Sequence, residues 1–354
     1  MTEPLRFEKY LDMTASRRPD LQPVCQTVLA LAEAGQRIAK ILARGPLAGA
    51  LSAIVGNSLD GDGQKAFDAL THTMIRDSLA PCPVAAFASE EADEAEFLNP
   101  NGSLAVAVDP LDGSSNIDTL APIGTIFSIL PMPAVAETPA APFLQSGRNQ
   151  LAAGFLIYGP QTALVLTLGE GTRIFTLDPE TGTFISIGGN IKVAAKTREY
   201  AINGSNLRHW EPQIRNYIIE LMLGRSGPRN EDFNTRWLAS MVGDAYRILL
   251  RGGVYLYPGD QRQGYRHGRL RLVYEANPVA MIMEQAGGAA TDGKTPILDL
   301  VPTDIHQRCP LVFGSTDEVR RIADAYSASA VTTSPLFKSR SLFRNSPNML
   351  ESLI

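Results

Sequence analysis

The chain has 354 residues and a mass of 38.2 kDa, enough for about two domains of ordinary size. Hydrophobic residues make up 44% of the sequence and charged residues 19%, which excludes a largely disordered or fibrous protein. The formal net charge is −5 at pH 7, so nucleic acid and anionic membranes are disfavoured as partners and any anionic ligand needs a local site.

The cysteines and the N-terminal residues indicate a compartment. Cys25, Cys82 and Cys309 are widely spaced and odd in number, which argues against a disulfide framework or a cysteine-rich zinc site and favours a reducing environment. The first ten residues mix both charge signs, and no later segment reaches the roughly 18 apolar residues of a membrane span. We expect a cytoplasmic protein with no membrane partner and no nucleic-acid partner.

The first third of the chain predicts two helices and a short strand. Apolar residues recur at helical spacing over 24–42, and a Gly-Pro stop signal follows. A second helix is predicted over about 65–79. Two prolines then force an extended chain into a strand over 84–87, and Glu90-Glu91 comes just after that strand.

The middle of the chain has the pattern of strands. A run of small apolar residues over 104–108 predicts a buried strand, which ends abruptly in the polar turn Asp-Pro-Leu-Asp-Gly-Ser-Ser at 109–115. Further segments, separated by glycine- and proline-containing turns, predict an antiparallel meander over 124–130, 152–158, 162–168, 172–177 and 183–187.

Near residue 190 the pattern changes to helices alternating with strands, with helices over 211–223 and 277–285. Asn277-Pro278 is a favourable helix start, so Glu275 is expected just before a helix N-terminus. The residues alone predict a mixed α/β protein of two domains. The predicted division is an N-terminal domain over 1–190, a C-terminal domain over 191–328 and a flexible tail over 329–354.

The turn at 109–115 has the composition of a site for a hard cation. Asp109 and Asp112 stand three residues apart on a proline-stiffened turn and can converge with the Leu111 carbonyl on one ion. Mg²⁺ prefers such oxygen ligands at about 2.1 Å and accepts phosphate oxygens among them. A solvated Asp-Gly turn is the alternative, but the whole string directly after a buried strand favours the metal site.

Neighbouring residues extend this candidate site. Gly113 lets the backbone approach closely, and the amides and hydroxyls of Ser114 and Ser115 can hold a phosphate beside the metal. Glu90 and Glu91 by themselves fit an ordinary acidic loop. If Glu90 faces the turn, however, several carboxylates share a small volume, which requires a cation or raised pKa values.

Other charged residues are ambiguous from the sequence. Asp62 and Asp68 are candidates for a further metal ligand and a water-activating base, although spacing alone favours two surface carboxylates. A basic stretch after a Tyr-Leu-Tyr-Pro-Gly segment could grip a second phosphate or form a solvated basic hairpin. Its arginines are Arg262, Arg266, Arg269 and Arg271.

Several other chemistries lose support. The segment that begins Asp-Gly-Asp-Gly at residue 60 is not a calcium loop, because its sixth position is Lys65 and not glycine and its twelfth is Thr71 and not glutamate. The histidines show no spacing typical of a zinc site. No Walker string occurs and no dinucleotide fingerprint follows a strand, which argues against nucleotide-driven chemistry and hydride transfer.

Several sequence motifs, in the same order along the chain, resemble those of class I fructose-1,6-bisphosphatases. This family belongs to the larger group of Mg²⁺-dependent, lithium-sensitive sugar phosphatases. The resemblance covers about residues 8–326. The matching strings are Ser-Glu-Glu at 89–91, Asp-Pro-Leu-Asp-Gly-Ser-Ser-Asn-Ile-Asp at 109–118, Gly-Thr-Ile-Phe at 124–127, Gly-Arg-Asn at 147–149, Ser-Met-Val at 240–242, Leu-Tyr-Pro at 256–258 and Arg-Leu-Arg-Leu-Val-Tyr-Glu-Ala-Asn-Pro at 269–278.

The resemblance implies a layered α/β (α+β) sugar-phosphatase fold, with mixed sheets sandwiched between helices, assembled as a homotetramer. It implies hydrolysis of the 1-phosphate of fructose-1,6-bisphosphate, with Mg²⁺, or alternatively Mn²⁺, as cofactor. The implied metal ligands are Glu90, Asp109, the Leu111 carbonyl, Asp112 and Glu275, with Asp62 for an additional metal. The implied catalytic residues around the attacking water are Glu91, Asp68 and Glu90. The implied substrate-binding residues are Asp112, Gly113, Ser114, Ser115, Asn203, Tyr257 and Arg269, with Arg236 reaching a neighbouring subunit's site.

The chain also departs from the family pattern. The family usually has lysine at Arg269 and tyrosines at Trp237 and Asn206, so contacts to the far phosphate are expected to differ. Of the residues that bind AMP in regulated members only Arg148 remains, and the cysteine-bearing redox loop is missing. We expect weak or absent AMP inhibition and no thioredoxin-type control.

The departures keep alternatives open. A sedoheptulose-1,7-bisphosphatase or a dual-specificity enzyme is the nearest rival, and either gluconeogenesis or the Calvin cycle fits. An inositol monophosphatase is less favoured because it would share only the short acidic signature. A non-catalytic sugar-phosphate-binding regulator is the remote alternative, since every acidic position is filled.

Overall fold

A computed structural model describes residues 4–49, 54–57, 63–186 and 188–332 of the chain. The α-helices in this part are α1 (Phe7–Arg17), α2 (Gln22–Arg44), α3 (Ala66–Leu79), α4 (Pro212–Leu223), α5 (Met241–Arg251), α6 (Asn277–Gln285) and α7 (Thr316–Thr332). The helix predicted over 24–42 is thus α2, two residues longer at each end. Among the described residues, none of the helices is both long and apolar enough to span a membrane.

The larger sheet is built from the N-terminal half of the chain. The strands in this half are β1 (Leu5–Arg6), β2 (Ile54–Asn57), β3 (Gly63–Lys65), β4 (Val84–Ser89), β5 (Glu96–Phe97), β6 (Leu104–Asp112), β7 (Ile123–Pro131), β8 (Ala152–Tyr158), β9 (Thr162–Thr167), β10 (Thr172–Asp178) and β11 (Thr183–Ser186). Nine of them form one sheet in the order β1-β11-β10-β9-β8-β7-β6-β4-β5, and β2 and β3 pair separately. The predicted meander is confirmed, because β7 to β11 are successive antiparallel neighbours.

The second sheet comes from the C-terminal half. The remaining strands are β12 (Glu199–Ala201), β13 (Asn234–Thr235), β14 (Val254–Tyr257), β15 (Leu270–Arg271), β16 (Ala289–Thr291), β17 (Arg308–Cys309) and β18 (Leu311–Gly314). Five of them form a mixed sheet in the order β13-β12-β14-β18-β16, and β15 pairs with β17. α7 runs to Thr332, so the first residues of the predicted tail are helical, and 333–354 lie outside the described residues.

Helices cover the sheets in layers, as alternation along the strands dictates. Phe127 of β7 packs with α1 to α3 on one face of the large sheet, whereas its neighbour Ile126 packs with α5 and α6 on the other. The second sheet contacts α5 and α6 through Tyr255 and Phe313 and packs against α4 and α7 through Leu256 and Val312. The result is the predicted layered α/β fold, with α5 and α6 between the two sheets.

One local prediction about the acidic residues needs correction. β6 does not end at residue 108 but continues to Asp112, with Asp109 opposite Ile126 and Asp112 opposite Gly124. Pro110 and Leu111 of β6 therefore both lie opposite Thr125 of β7, which makes a β-bulge, and Pro110 lacks an amide hydrogen. The turn begins only at Gly113, whose φ of 76° lies in the left-handed region that glycine adopts freely.

The predicted helix over 277–285 is confirmed as α6, and Glu275 precedes it as predicted, but the segment before α6 has a conformation that the sequence did not predict. A π-helical turn over Leu272–Ala276 leads directly into α6, and the Asn277 amide donates to the carbonyl of Leu272. Asn277 therefore does not begin a free helix end, and its side chain does not cap the helix. Glu275 lies within this turn, two residues before Asn277. π-Helical turns are rare and occur mostly at functional sites.

Candidate active site

Three carboxylates converge where β6 meets the π-helical turn. Oxygen atoms of Asp109, Asp112 and Glu275 all lie within 4.8 Å of one another. In a regular strand, residues three apart point to opposite faces, so Asp109 and Asp112 would diverge. The extra residue of the bulge brings both carboxylates to the same side of the sheet.

Backbone amides hold each carboxylate in place. The Leu111 amide donates to Asp109 Oδ1 at 2.9 Å, and the Val242 amide at the start of α5 donates to Asp112 Oδ2 at 3.2 Å. The Arg271 amide donates to Glu275 Oε2 at 2.5 Å. These bonds fix the direction in which each carboxylate points, and they leave other oxygen lone pairs available.

The approach of α5 to this site depends on Gly124. A Cβ atom at this position would lie 2.4 Å from the carbonyl oxygen of Leu156 and 2.8 Å from Val242 Cγ2. Both distances are far inside van der Waals contact, so only glycine permits this packing. Gly124 is also the residue opposite Asp112 across the sheet, which ties the α5 N-terminus to the bulge.

The electrostatics of the cluster show that it concentrates negative charge. Burial raises the pKa of Asp109 and of Glu275 well above their usual ranges, and the charge of Glu90 raises both further. Burial raises the pKa of Asp112 to about 7, where the Val242 amide opposes the shift and Glu90 adds to it. Neighbouring like charges in a low-polarity site destabilise one another's ionised forms.

Glu90, whose position the residues alone left open, lies near this cluster, since its charge raises the pKa of Asp109 and of Glu275. It follows β4, which runs parallel to β6, so both strands end at the same edge of the sheet. The Arg271 guanidinium stands 3.8 Å from Glu90 Oε1 and is buried itself. Arg271 therefore offsets part of the acidic charge. Because Arg271 is buried beside Glu90, it is not available to bind the second phosphate, which is one of the two roles that the sequence allows for the arginines of this stretch.

The two residues predicted to activate water are Asp68, on helix α3, and Glu91, which follows β4. Asp68 is buried in the first turn of α3, one helical turn before His72. His72 Nδ1 lies 2.9 Å from the hydroxyl of Ser89, and the Glu91 amide contacts that hydroxyl at 3.3 Å. Asp68 is thus not a surface carboxylate, while Asp62 lies outside the described residues.

The glycine-serine turn at the end of β6 begins a 3₁₀ helix over Ser114–Thr119. Ser114 is half-buried and Ser115 is exposed beside Asp112. Asn116 Nδ2 donates to the carbonyl of Ala239 at 2.8 Å, which joins this turn to the segment before α5. The backbone of Ser114 and Ser115 is therefore held next to the carboxylates.

A concave pocket adjoins the acidic cluster. It is lined by Asn203, Asn206, Tyr257, Arg262 and Tyr265, among others. Burial raises the pKa of Tyr257; the charge of Arg269 lowers it, and the nearby Glu275 carboxylate raises it. Tyr257 at the end of β14 therefore lies between the acidic cluster and the basic residues of the pocket.

The pocket's basic groups lie around Tyr265. The Arg262 guanidinium lies over the Tyr265 ring at 4.2 Å from the centroid, and Arg269 Nη1 donates to the Tyr265 hydroxyl at 3.0 Å. The structure thus brings Asn203, Tyr257 and Arg269 to one place. The sequence did not single out Tyr265, although its place in the basic stretch is the signal that could have found it.

Arg236 lies apart from this pocket within the described chain. It is exposed after β13, with Nε 3.7 Å from Glu199 Oε1. Trp237 packs against Tyr255, with the ring centroids 5.7 Å apart. The sequence also did not single out Asp244, which is buried and accepts the Leu238 amide at 3.3 Å. Asp244 therefore holds the segment that presents Arg236 and Trp237.

Family models match nearly the whole chain. Residues 14–188 match the N-terminal domain of fructose-1,6-bisphosphatase, and residues 193–327 match its C-terminal domain. The class 1 fructose-1,6-bisphosphatase of Acidiphilium cryptum is 65% identical over 352 residues, which is 99% of each chain. A class 1 enzyme of Xanthobacter autotrophicus is 52% identical, over 92% of this chain and 100% of its own.

Solved structures agree with these matches. The fructose-1,6-bisphosphatase of Leishmania major in its holo form superposes with a TM-score of 0.85 at 33% identity, covering 92% of this chain and 99% of that one. Its apo form gives 0.81 at 30% identity, with 92% and 100% covered. Sequence and fold together show that the chain belongs to the class 1 fructose-1,6-bisphosphatases, a family of phosphoric monoester hydrolases.

Proposed function

We propose that the protein hydrolyses the 1-phosphate of fructose-1,6-bisphosphate to give fructose 6-phosphate and inorganic phosphate, in a Mg²⁺-dependent reaction. The observation that carries this proposal is that Tyr257 of the pocket is close enough to Glu275 of the acidic cluster and to Arg269 for both charges to shift its pKa, in opposite directions. A sugar with a phosphate at each end needs such a pair of adjoining sites, one acidic and metal-binding and one basic. The relatives named above bear the same activity in their names.

The acidic residues suit a divalent cation. Buried carboxylates with raised pKa values, converging within 4.8 Å, gain stability when a cation neutralises them. The proposed ligands are Glu90, Asp109, the Leu111 carbonyl, Asp112 and Glu275, with Asp62 for a further ion. When bound, Mg²⁺ (or Mn²⁺) would supply positive charge that polarises the phosphoryl group and lowers the pKa of water.

The chain's own groups would position and activate the reactants. The amides and hydroxyls of Ser114 and Ser115, beside Asp112 and Gly113, would hold the reacting phosphate. Glu91 and Asp68 would accept the proton of the attacking water, and Glu90 would assist through its place in the cluster. Glu91 follows β4, and His72, one helical turn after Asp68, contacts Ser89 at the end of that strand, which supports these roles.

The second phosphate would be bound away from the reacting end. Asn203, Tyr257 and Arg269 would hold it, with Arg236 of the partner subunit in a homotetramer. This remote contact supplies binding energy that orients the reacting phosphate. We propose the cytoplasm as the location of the reaction and a division of labour in which 1–190 carries the acidic residues and 191–328 the sugar-binding ones.

Dual specificity is the second candidate, because of one residue in the pocket. Asn206 lines the pocket beside Tyr257, where the family usually has a larger tyrosine. The smaller side chain leaves space for a substrate with one more sugar carbon, as in sedoheptulose-1,7-bisphosphate. Trp237 is not among the residues that line this pocket, although its ring lies near those of Tyr255 and Tyr257.

Phosphate release in parallel assays tests these proposals. The substrates are fructose-1,6-bisphosphate, sedoheptulose-1,7-bisphosphate and inositol monophosphate, each with and without Mg²⁺. We expect the highest Mg²⁺-dependent kcat/KM with fructose-1,6-bisphosphate. Comparable turnover of the seven-carbon substrate would establish dual specificity. Substrate binding without turnover would contradict the proposal and favour a regulator.

The contacts of Arg148 support the weak AMP inhibition that we propose. Its guanidinium is bound to Glu284 at 2.5 Å and to Asp299 at 2.7 Å, so two carboxylates already use its donors. An incoming phosphate would meet these two carboxylates beside the guanidinium, whose charge they offset, and this disfavours its binding. The same assay with added AMP should show little change in rate, and inhibition at low micromolar AMP would contradict this expectation.

A further inference from the structure

The loop 259–268 separates two concave surfaces. On one side, Arg262 and Tyr265 line the pocket next to Tyr257. On the other side lies a cavity of about 750 Å³, which we call the basic cavity after Arg266, His267 and Lys294 and whose lining also includes the carboxylates of Glu211, Asp260 and Asp292. Asp260 lines both surfaces. The basic cavity contains none of the residues proposed to bind metal or sugar phosphate.

Three cationic or ionisable basic side chains face this cavity without an acidic partner. Arg266 and His267 are exposed on the loop, and Lys294 is exposed on the opposite wall. Among the described residues, none of the three forms an ion pair with a carboxylate. Lys294 instead lies over the ring of Tyr326, 5.8 Å from its centroid.

The acidic groups of the same cavity, in contrast, are already bonded. The Arg262 guanidinium binds Asp260 in a bidentate contact. Asp292 Oδ1 accepts the backbone amides of Lys294 and Thr295, both at 2.7 Å. The Glu211 carboxylate lies close enough to the Tyr326 hydroxyl to raise its pKa. The acceptors are therefore largely used within the protein, while the strongest donors are available for a ligand.

We propose that the basic cavity binds a multivalent organic anion that carries phosphate or carboxylate groups. Arg266 and His267 would contact one end of it and Lys294 the other. An arginine offers paired donors that match either oxyanion, and a lysine adds a point charge. The cavity volume lies within the range of about 300–1,000 Å³ that small-molecule sites occupy.

The structure of the loop couples this cavity to the neighbouring pocket. The Asp260 amide donates to the Tyr265 carbonyl at 3.0 Å, and the Tyr265 amide donates to the Arg262 carbonyl at 3.1 Å. A Cβ at Gly259 would lie 2.4 Å from the Arg266 carbonyl oxygen, so the two ends of the loop are in close contact. A ligand that moves Arg266 would therefore move Tyr265 and change the KM for the sugar bisphosphate, a consequence that rests on the proposed function.

Calorimetric titration of the full chain in metal-free buffer tests binding without turnover. Citrate offers carboxylates alone, and 3-phosphoglycerate offers a phosphate with a carboxylate. Both titrations are repeated with saturating fructose 6-phosphate, which blocks the pocket on the other side of the loop. We expect binding of at least one anion under both conditions, at least tenfold weaker in the His267→Ala/Lys294→Ala variant. The control variant Arg251→Ala/Arg320→Ala removes two exposed charges elsewhere and should bind as the native chain does.

Each result of the titration has a defined meaning. Binding of one anion alone assigns the preferred oxyanion, phosphate or carboxylate. No binding of either anion, or equal affinity in the variant and the native chain, overturns the proposal. Loss of binding in the control variant as well would show a general charge effect and would also overturn it.

Turnover tests the coupling separately. With excess Mg²⁺, saturating 3-phosphoglycerate should change the KM for fructose-1,6-bisphosphate at least twofold in the native chain. It should leave the KM unchanged in the His267→Ala/Lys294→Ala variant, whose kcat and KM without anion should match the native values. Binding with no change in KM overturns the coupling, whereas absent turnover in every sample contradicts the proposed function and leaves the binding result standing.

Discussion

Two buried clusters of charged groups in this chain differ in their balance. Near the C-terminus, Glu318 is paired with the buried Arg229 and also accepts the Tyr217 hydroxyl at 2.8 Å. At the end of β6, Asp109 and Asp112 face further carboxylates, and burial raises their pKa values. The first cluster contains its own counter-charge and can stabilise the fold. The second contains no full counter-charge among the described residues, so its carboxylates need protonation or a cation, which makes it a candidate metal site.

The largest expected effect is on turnover, through the second cluster. Asp112→Ala removes a proposed metal ligand and should lower kcat/KM by about 10³-fold or more, which corresponds to about 4 kcal/mol. Its free energy of unfolding in metal-free buffer should be unchanged or higher, since a mutually repelling charge is lost. Steady-state kinetics and urea denaturation measure both quantities. Asp12→Ala, an exposed carboxylate on α1, is the control, and an active Asp112→Ala enzyme would refute the metal assignment.

For the cluster of Glu318, Arg229 and Tyr217 we expect a loss of stability with little change in turnover. Glu318→Gln leaves the Arg229 guanidinium buried without its counter-charge and should lower the free energy of unfolding by about 3–5 kcal/mol. The kcat of the folded protein should stay near the native value. Glu170→Gln breaks an exposed pair with Arg17 and should cost less than about 1 kcal/mol. Equal destabilisation by both variants in urea titrations would remove the distinction between the clusters.

Metal and pH should act on the acidic cluster together. Folding raises the pKa of such a carboxyl group, so the native state is favoured while the group is protonated. This contribution is fully present below the unfolded pKa of about 4 and is lost as the pH rises to the pKa of the folded protein. For Asp112, with a pKa of about 7, the loss falls between about pH 4 and 7 in chelator-treated protein. Mg²⁺ at 100 times its Kd should restore about 2.7 kcal/mol. Thermal unfolding at several pH values measures this, and a metal-independent profile would contradict it.

The smallest effect is expected at an exposed residue outside both clusters. Arg236→Ala should raise the KM for fructose-1,6-bisphosphate about tenfold with little change in kcat, since it removes binding energy common to the ground and transition states. Arg251→Ala, exposed at the end of α5, should leave both constants unchanged. A fall in kcat at constant KM would show that Arg236 acts in the chemical step.

The sequence predicted the layers and the acidic residues well because both depend on local patterns. The alternation over β7 to β11 and the helical spacing of α2 are set by short-range burial. The string from Asp109 to Ser115 predicted a cation site, and its carboxylates do converge with Glu275. The roles of individual ligands remain predictions.

What the sequence could not predict depends on contacts distant along the chain. A pair of aspartates three residues apart indicated a turn, whereas pairing with β7 continues the strand and adds a bulge. Arg271 was ambiguous with its neighbouring arginines until the fold buried it beside Glu90. Asp244 carries no local motif, because its function comes from the Leu238 amide that it accepts.

The π-helical turn before α6 makes this site sensitive to length as well as to residue identity. Such a turn contains one residue more than an α-helical turn, and each helical residue turns the chain by about 100°. Deleting one residue within Leu272–Ala276 would allow a regular helix, yet it would rotate Glu275 away from Asp109 and Asp112. Insertions and deletions are therefore more damaging here than in the surface loops, and an engineered chain should preserve the number of residues between Arg271 and Asn277.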